Sequence, residues 1–450
     1  MAHKKKKNTN NDPVKKTGSP ATGKPEGKAS AAEKPEEKAP GAGKPEEKAP
    51  AVGKPEEKTP AAEKTEEQAP KAEKEQVDTP ALPAKPQKKK KESELWKRAK
   101  VTTKLFLHVT KLFFLIVLGL LVLAGIILSI VHAAKKKSES QYLVMKGEQV
   151  EVDGRYLHVI KGGPEGADQT LVFLHGDRIT DDSVVLQPVF RKIEDQAAYF
   201  YVDRSGAGFS DATDGGERDV DSLVEETRKA ASAAGVKAPY ILVAEGTSGI
   251  MALHWAHKYP EEVKGIFGLG FIYPEQFDGV KPGDYVGFGD WITLQFFRIG
   301  GVRLFSSMKP TNPAGIFTED EMNTRSALVN KGAFTKDMYN EDKAMVDGAN
   351  LAREEGWPDV PIFLLYGNPL MAPYIVEDED LLRKLTNAVA ANPDEDFVGE
   401  FYEEERNFFA QKKNVEMKEI SGPVRITIYA SDEIAKELLN FVKNVQSKQN

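Results

Sequence analysis

YILVAEGTSGIMALHWAHKYP, residues 240–260, passes from a short apolar, β-branched run through a Gly/Ser-rich turn into an amphipathic stretch. An unbroken apolar run before a turn suits a strand buried on both faces. The apolar positions that follow recur at helical spacing as far as Tyr259-Pro260. The reading is strand, sharp turn, helix.

Working outward, TLVFLHG (170–176), AYFYVD (198–203) and VKGIFGLGF (263–271) are further apolar runs at the same spacing. Helices are expected near 183–195, 219–234 and 248–259. Such alternation implies a mostly parallel sheet covered by helices on both faces. EQVEVDG and RYLHVIKGG ahead of it read as an antiparallel hairpin turning at Asp153-Gly154. PIFLLYG (361–367) and VEMKEIS (415–421) add two strands, and DEIAKELLNFVKNV (432–445) is an amphipathic closing helix. Residues 273–357 break the rhythm with helical and Gly/Pro-rich pieces.

Three segments, in this order, resemble the α/β-hydrolase fold over residues 143–450. His175-Gly176 ends one strand, and Asp203-Arg204-Ser205-Gly206-Ala207-Gly208-Phe209-Ser210-Asp211 matches a D-R-x-G-x-G-x-S-D segment. Ala244-Glu245-Gly246-Thr247-Ser248 occupies the five places of the G-x-S-x-G nucleophile elbow. The resemblance implies an oxyanion-loop and pocket set of His175, Gly176, Asp177 and Thr247, and an inserted helical cap at about 273–357. It also implies a triad of nucleophile, acid and histidine base, and there the pattern departs. Gly246 stands at the nucleophile's place, and a glycine suits a strained elbow backbone without supplying an attacking atom. The family's acid follows the seventh strand, where Gly367-Asn368-Pro369-Leu370 puts Leu370. The end of the sixth strand, Gly268-Leu269-Gly270-Phe271, offers no carboxylate either. The base belongs just before the closing helix, near Val424, yet all seven histidines (3, 108, 132, 158, 175, 254 and 257) precede residue 258.

Substitute chemistry has few candidates. Ser248 is a loose Gly-x-Ser match, more readily a small residue in the first turn of the helix. Glu245 lies at the pocket mouth, able to act as base or nucleophile but more readily a solvated or hydrogen-bonded carboxylate. His254 and His257 form an H-x-x-H pair with no further ligand in sight, so no metal is expected. His175 reads as a brace for the oxyanion loop, and Asp203 and Arg204 as loop-stabilising. No P-loop, H-E-x-x-H or dinucleotide fingerprint is present, and no cofactor is implied.

The amino-terminal part is a different kind of polymer. Residues 1–111 hold 27 Lys/Arg against 17 Asp/Glu, a net of +10, so the remainder of a chain at −7 carries −17. An acidic remainder argues against nucleic-acid binding, which needs clustered cations. Residues 1–100 have almost no aromatic residues and few large aliphatic ones, and GKPEEKAPAV-type decapeptides recur from about Gly23 to Glu73. Such a segment cannot offset its ordering entropy and is expected to be a disordered, extended spacer. Leu112–Ala134 then carries only Ser129 and His132 as polar residues. It is long enough to span a bilayer within a juxtamembrane and transmembrane segment at 101–137. Five cations (Lys97, Arg98, Lys100, Lys104, Lys111) precede it and four (Lys135, Lys136, Lys137, Lys146) follow, so flanking charge decides little. The basic tail, with Lys88–Lys91, favours a cytoplasmic amino terminus near anionic lipid and an extracytoplasmic domain. The absence of cysteine excludes disulfides and thiol chemistry without fixing the compartment.

The expected protein is thus anchored in the cell membrane, meeting lipid through its helix and basic juxtamembrane segment. Its α/β-hydrolase-like domain has lost its triad and binds a small apolar ligand, a peptide or a protein partner. One alternative is an esterase, lipase or peptidase working through Ser248 or Glu245. Another is a structural tail and anchor carrying a passive domain.

Overall fold

The computed structural model describes residues 93–174, 176, 180–213, 215–368, 395–422 and 425–447. The repeat tail and the candidate positions His175, Asp177, Leu370 and Val424 lie outside these described residues. The described chain begins with α1 (Glu94–Glu139), whose Ser93 cap accepts the Trp96 amide at 3.3 Å. It is the one helix among the described residues long and apolar enough to cross a membrane. It extends beyond 112–134 at both ends because the flanks 94–111 and 135–139 contain neither Gly nor Pro and are rich in helix-forming Lys, Leu and Glu.

β1 (Glu148–Val152) and β2 (Arg155–Gly162) join through Asp153 and Gly154, whose φ values of 50° and 77° are those of a two-residue hairpin. β3 (Thr170–Leu174), α2 (Asp182–Val185), α3 (Gln187–Ile193) and β4 (Ala198–Val202) follow. Next come α4 (Val220–Ala233), β5 (Tyr240–Glu245), α5 (Ser248–Lys258) and β6 (Val263–Leu269). The strands form one sheet with β7 (Ile362–Asn368) and β8 (Val415–Ser421) in the order β1-β2-β4-β3-β5-β6-β7-β8. β2 runs antiparallel to both neighbours, and every pairing from β4 to β8 is parallel. Sheet, crossover helices and an elbow after β5 constitute the α/β-hydrolase fold expected from the sequence.

A helical insert separates β6 from β7: α6 (Pro282–Tyr285), α7 (Phe288–Arg298), α8 (Glu319–Gly332) and α9 (Lys336–Glu355). α10 (Glu395–Ala410) and α11 (Ser431–Ser447) flank β8. Alternate residues of β5 divide the core as the pleat requires. Leu242 and Ala244 pack with α4, α5, Val346 and Ala349 of α9, and Tyr402 and Phe409 of α10. Ile241 and Val243 pack on the other face with Phe190 of α3 and Leu438 and Phe441 of α11. The insert therefore contributes a helix to the main core, and that brings α9 over the elbow.

Candidate functional site at the elbow

β5 ends at Glu245 and α5 begins at Ser248, so two residues make the whole reversal. Gly246 takes φ 58°, a left-handed conformation that costs other residues about 1–2 kcal/mol. Its amide donates to the Leu269 carbonyl at 3.1 Å, and its carbonyl accepts the Gly249 and Ile272 amides, each at 3.0 Å. These bonds pin the turn to the end of β6. A Cβ on Gly249 would lie 2.3 Å from the Ile272 carbonyl oxygen, so the absence of a side chain there lets α5 approach that segment. The elbow keeps its backbone form while carrying only hydrogen where a nucleophile would stand.

The neighbouring polar groups are engaged. Buried Ser248 donates its hydroxyl to the Glu245 carbonyl at 2.8 Å, with the Leu174 carbonyl at 3.4 Å. Glu245 accepts the Thr427 hydroxyl at 2.9 Å, and the Arg425 Nε lies 3.8 Å from the same carboxylate oxygen. Arg425 also reaches Asp182 at 3.3 Å, whose second oxygen takes the Gly176 amide at 3.1 Å. Asp181 beside it binds Arg325 of α8 at 2.7 Å. Burial opposes the charge of Arg425, but Asp181, Glu245 and Asp182 outweigh it and hold the guanidinium ionised. Arg425 follows directly on the position where a histidine base is expected, and a guanidinium accepts no proton. Buried Thr247 lines, with Ser248, a cleft between α5 and α9.

That cleft is apolar on one side, with Val220, Leu223, Met251, Met338 and Met345, and its enclosed volume is about 30 Å³, room for a few waters. Its polar side is an ion network. Glu341 of α9 accepts Arg204 at 2.8 and 3.4 Å and Arg218 through Nε at 3.1 Å and through Nη2. Arg218 also donates to Glu226 at 2.8 Å, which takes the Ser205 amide at 3.0 Å and hydroxyl at 2.6 Å. Burial alone would raise the Glu341 carboxyl; the two arginines reverse this and hold it at about 2. The network closes the insert over the elbow.

Among the remaining sequence candidates, Asp203 and His254 have structural partners. Asp203 accepts the Tyr201 hydroxyl at 2.7 Å and the Phe209 amide at 3.0 Å, and faces His158 Nδ1 at 2.7 Å. The other ring nitrogen of His158 faces the Lys146 carbonyl at 2.6 Å. Burial disfavours its charge, but Asp203 and that carbonyl prevail and raise its pKa. This ring braces the D-R-x-G-x-G-x-S-D loop. His254 sits between Glu355 (2.9 and 3.0 Å) and Asp221 (3.1 Å), while His257 is exposed. No group of metal-ligating side chains occurs among the described residues.

Sequence reasoning reached Gly246, Ser248, Glu245 and Arg204, but missed Arg425 and Glu341. Arg425 was within reach, one residue from the expected base position. Glu341 carries no local signal, since its partners lie 137 and 123 residues away in the chain.

No family model matches the chain. The protein YbdG of Bacillus subtilis (strain 168) is 29% identical over 348 residues, 75% of this chain and 98% of that one. Among solved structures, a haloalkane dehalogenase of Bradyrhizobium elkani is 15% identical with a TM-score of 0.45, covering 67% of this chain and 98% of its own. The Cfl2 protein of Burkholderia cenocepacia is 16% identical with a TM-score of 0.47, covering 65% of this chain and 94% of its own.

Proposed function

We propose that this chain is a membrane-anchored, non-hydrolytic protein of the α/β-hydrolase fold that binds a small ligand with an apolar body between α5 and α9. The observation that carries the reading is the elbow itself. Gly246 offers no attacking atom, and the two substitutes beside it are committed to Thr427, Arg425 and main-chain carbonyls. A serine without a neighbouring base is a poor nucleophile, and the chain has no histidine after residue 257. Three methionines in the cleft wall supply a flexible, polarisable surface suited to varied apolar shapes. Because the closed cleft is narrow, entry of a ligand requires α9 to part from α5. α1 anchors the chain, with the basic tail on the cytoplasmic side and the domain outside.

The test uses the full chain in mild detergent with short p-nitrophenyl esters, beside Ser248→Ala, Glu245→Ala and Gly246→Ser. Turnover equal to buffer in all four proteins is expected, together with no fluorophosphonate labelling. Turnover in the parent that either alanine variant abolishes would make the protein a hydrolase and end this reading.

A further inference from the structure

We infer that the pocket between the carboxy-terminal end of α1 and the insert is a binding site for an anionic phospholipid of the membrane that α1 crosses. The inference rests on the anchoring part of the proposed function.

Its first support is depth. The apolar run of α1 ends at Ala134, and Ile299 of the insert packs on Gly125, its Cδ1 3.8 Å from where a Cβ would stand. Nine residues at 1.5 Å put that contact about 13 Å inside the end of the run. Arg303 fixes the same arrangement from above, binding both Glu139 oxygens at 2.7 Å and the His132 ring at 3.1 Å. Gly300 itself lies against His132, two residues inside the end of the run, so the insert meets α1 at the membrane boundary and only the Ile299 side chain reaches deeper. The surface composition of the insert agrees. Phe288 is 74% exposed, Trp291 46% and Leu304 66%, a surface costly in water and suited to a bilayer interface.

The second support is the pocket's own gradient. Leu128, Val131 and Lys135 of α1 line it and share one helix face by their spacing. Across from them stand Leu304, Phe305 and Lys309 of the insert. The cavity encloses about 450 Å³. Lys135 directly follows the apolar run, level with headgroups, while Leu128 lies about 10 Å deeper along the axis. Neither Lys135 nor Lys309 has an ion-pair partner among the described residues. Two unpaired cations in one pocket, Lys135 level with the headgroups, together with an apolar wall complement one phosphate and its acyl chain. A free anion in solution would have no use for the wall, and a neutral lipid would leave the cations unmatched.

The experiment reconstitutes the full chain in nanodiscs holding equal dioleoyl-phosphatidylglycerol and dioleoyl-phosphatidylcholine, and counts the lipid retained after release by native mass spectrometry. Preferential retention of one phosphatidylglycerol is expected. In K135Q/K309Q the preference should fall about twenty-fivefold, since a lysine near an anionic surface is worth about fivefold. Leu128→Trp, which fills the space at the apolar wall and leaves the charges, should displace the lipid as well. Both variants are compared at equal thermal midpoint, so that misfolding cannot imitate loss of the site. Equal retention of the two lipids by the parent, or unchanged retention in both variants, overturns the inference. Extraction of the chain from native membranes by alkaline carbonate would instead overturn the anchoring it rests on. Retention in the carbonate pellet without lipid preference would sink the pocket alone.

Discussion

Glu341→Gln tests the contact that closes the insert over the elbow. The substitution keeps the side chain's shape but removes its charge and turns one acceptor oxygen into an NH2 donor facing a guanidinium. Arg204 and Arg218, both buried, then share a neutral partner. A carboxyl held at about 2 in place of 4.5 favours its ionised form by about 3 kcal/mol. Breaking a buried pair from one side costs about 3–5 kcal/mol, because it leaves charge without compensation. For a domain of this size that lowers the thermal midpoint by about 6–10 °C. The sign with pH follows from the depressed value. The Glu341 contribution is complete above about 4.5 and is lost as pH falls through about 2, so the variant should also lack that part of the acid limb. The assay is thermal unfolding of the full chain in mild detergent, followed by circular dichroism at several pH values. A midpoint within about 2 °C of the parent, with an unchanged acid limb, would refute the network as the closure of the insert.

Glu405 should act in the opposite pH direction. It is buried, and desolvation raises it to about 7 despite hydrogen bonds from Gln276 at 2.9 Å and Tyr273 at 3.1 Å. Stability should therefore fall as pH rises from about 4.5 through about 7, by about 3 kcal/mol. Glu405→Gln should flatten that fall in urea titrations between these limits, and an unaltered slope would exclude Glu405 as its source. Gly249→Ala should cost about 1–3 kcal/mol, since the added methyl meets the Ile272 carbonyl oxygen and the Phe271 ring. A neutral result in the same titration would mean that α5 is not seated as described.

Much of the fold was legible because its signals are local. Predominantly apolar runs at 170–174, 198–202, 240–245 and 263–269, each separated by helix-length segments, imply a parallel sheet whatever lies elsewhere in the chain. Asp153-Gly154 announces its hairpin, and Gly246 its elbow, because few residue types accept those backbone angles. The missing histidine is likewise a fact of composition. The sequence by itself thus determined the sheet, the turn after β5 and the apolar helix ahead of the domain.

The tertiary structure alone decided which charges meet. Glu341, Arg218 and Glu226 look like ordinary solvated residues of a strongly charged chain, and Arg204 like a loop brace, until α9 folds over the elbow and removes them from water. Arg425 gains its place beside Glu245 only when the segment after β8 returns to the elbow. Arg303 finds Glu139 only when the insert lies along α1. Periodicity reports which face of an element is apolar. It carries no information about ion partners more than a hundred residues apart, because desolvation and Coulomb attraction depend on distances that only the folded chain sets.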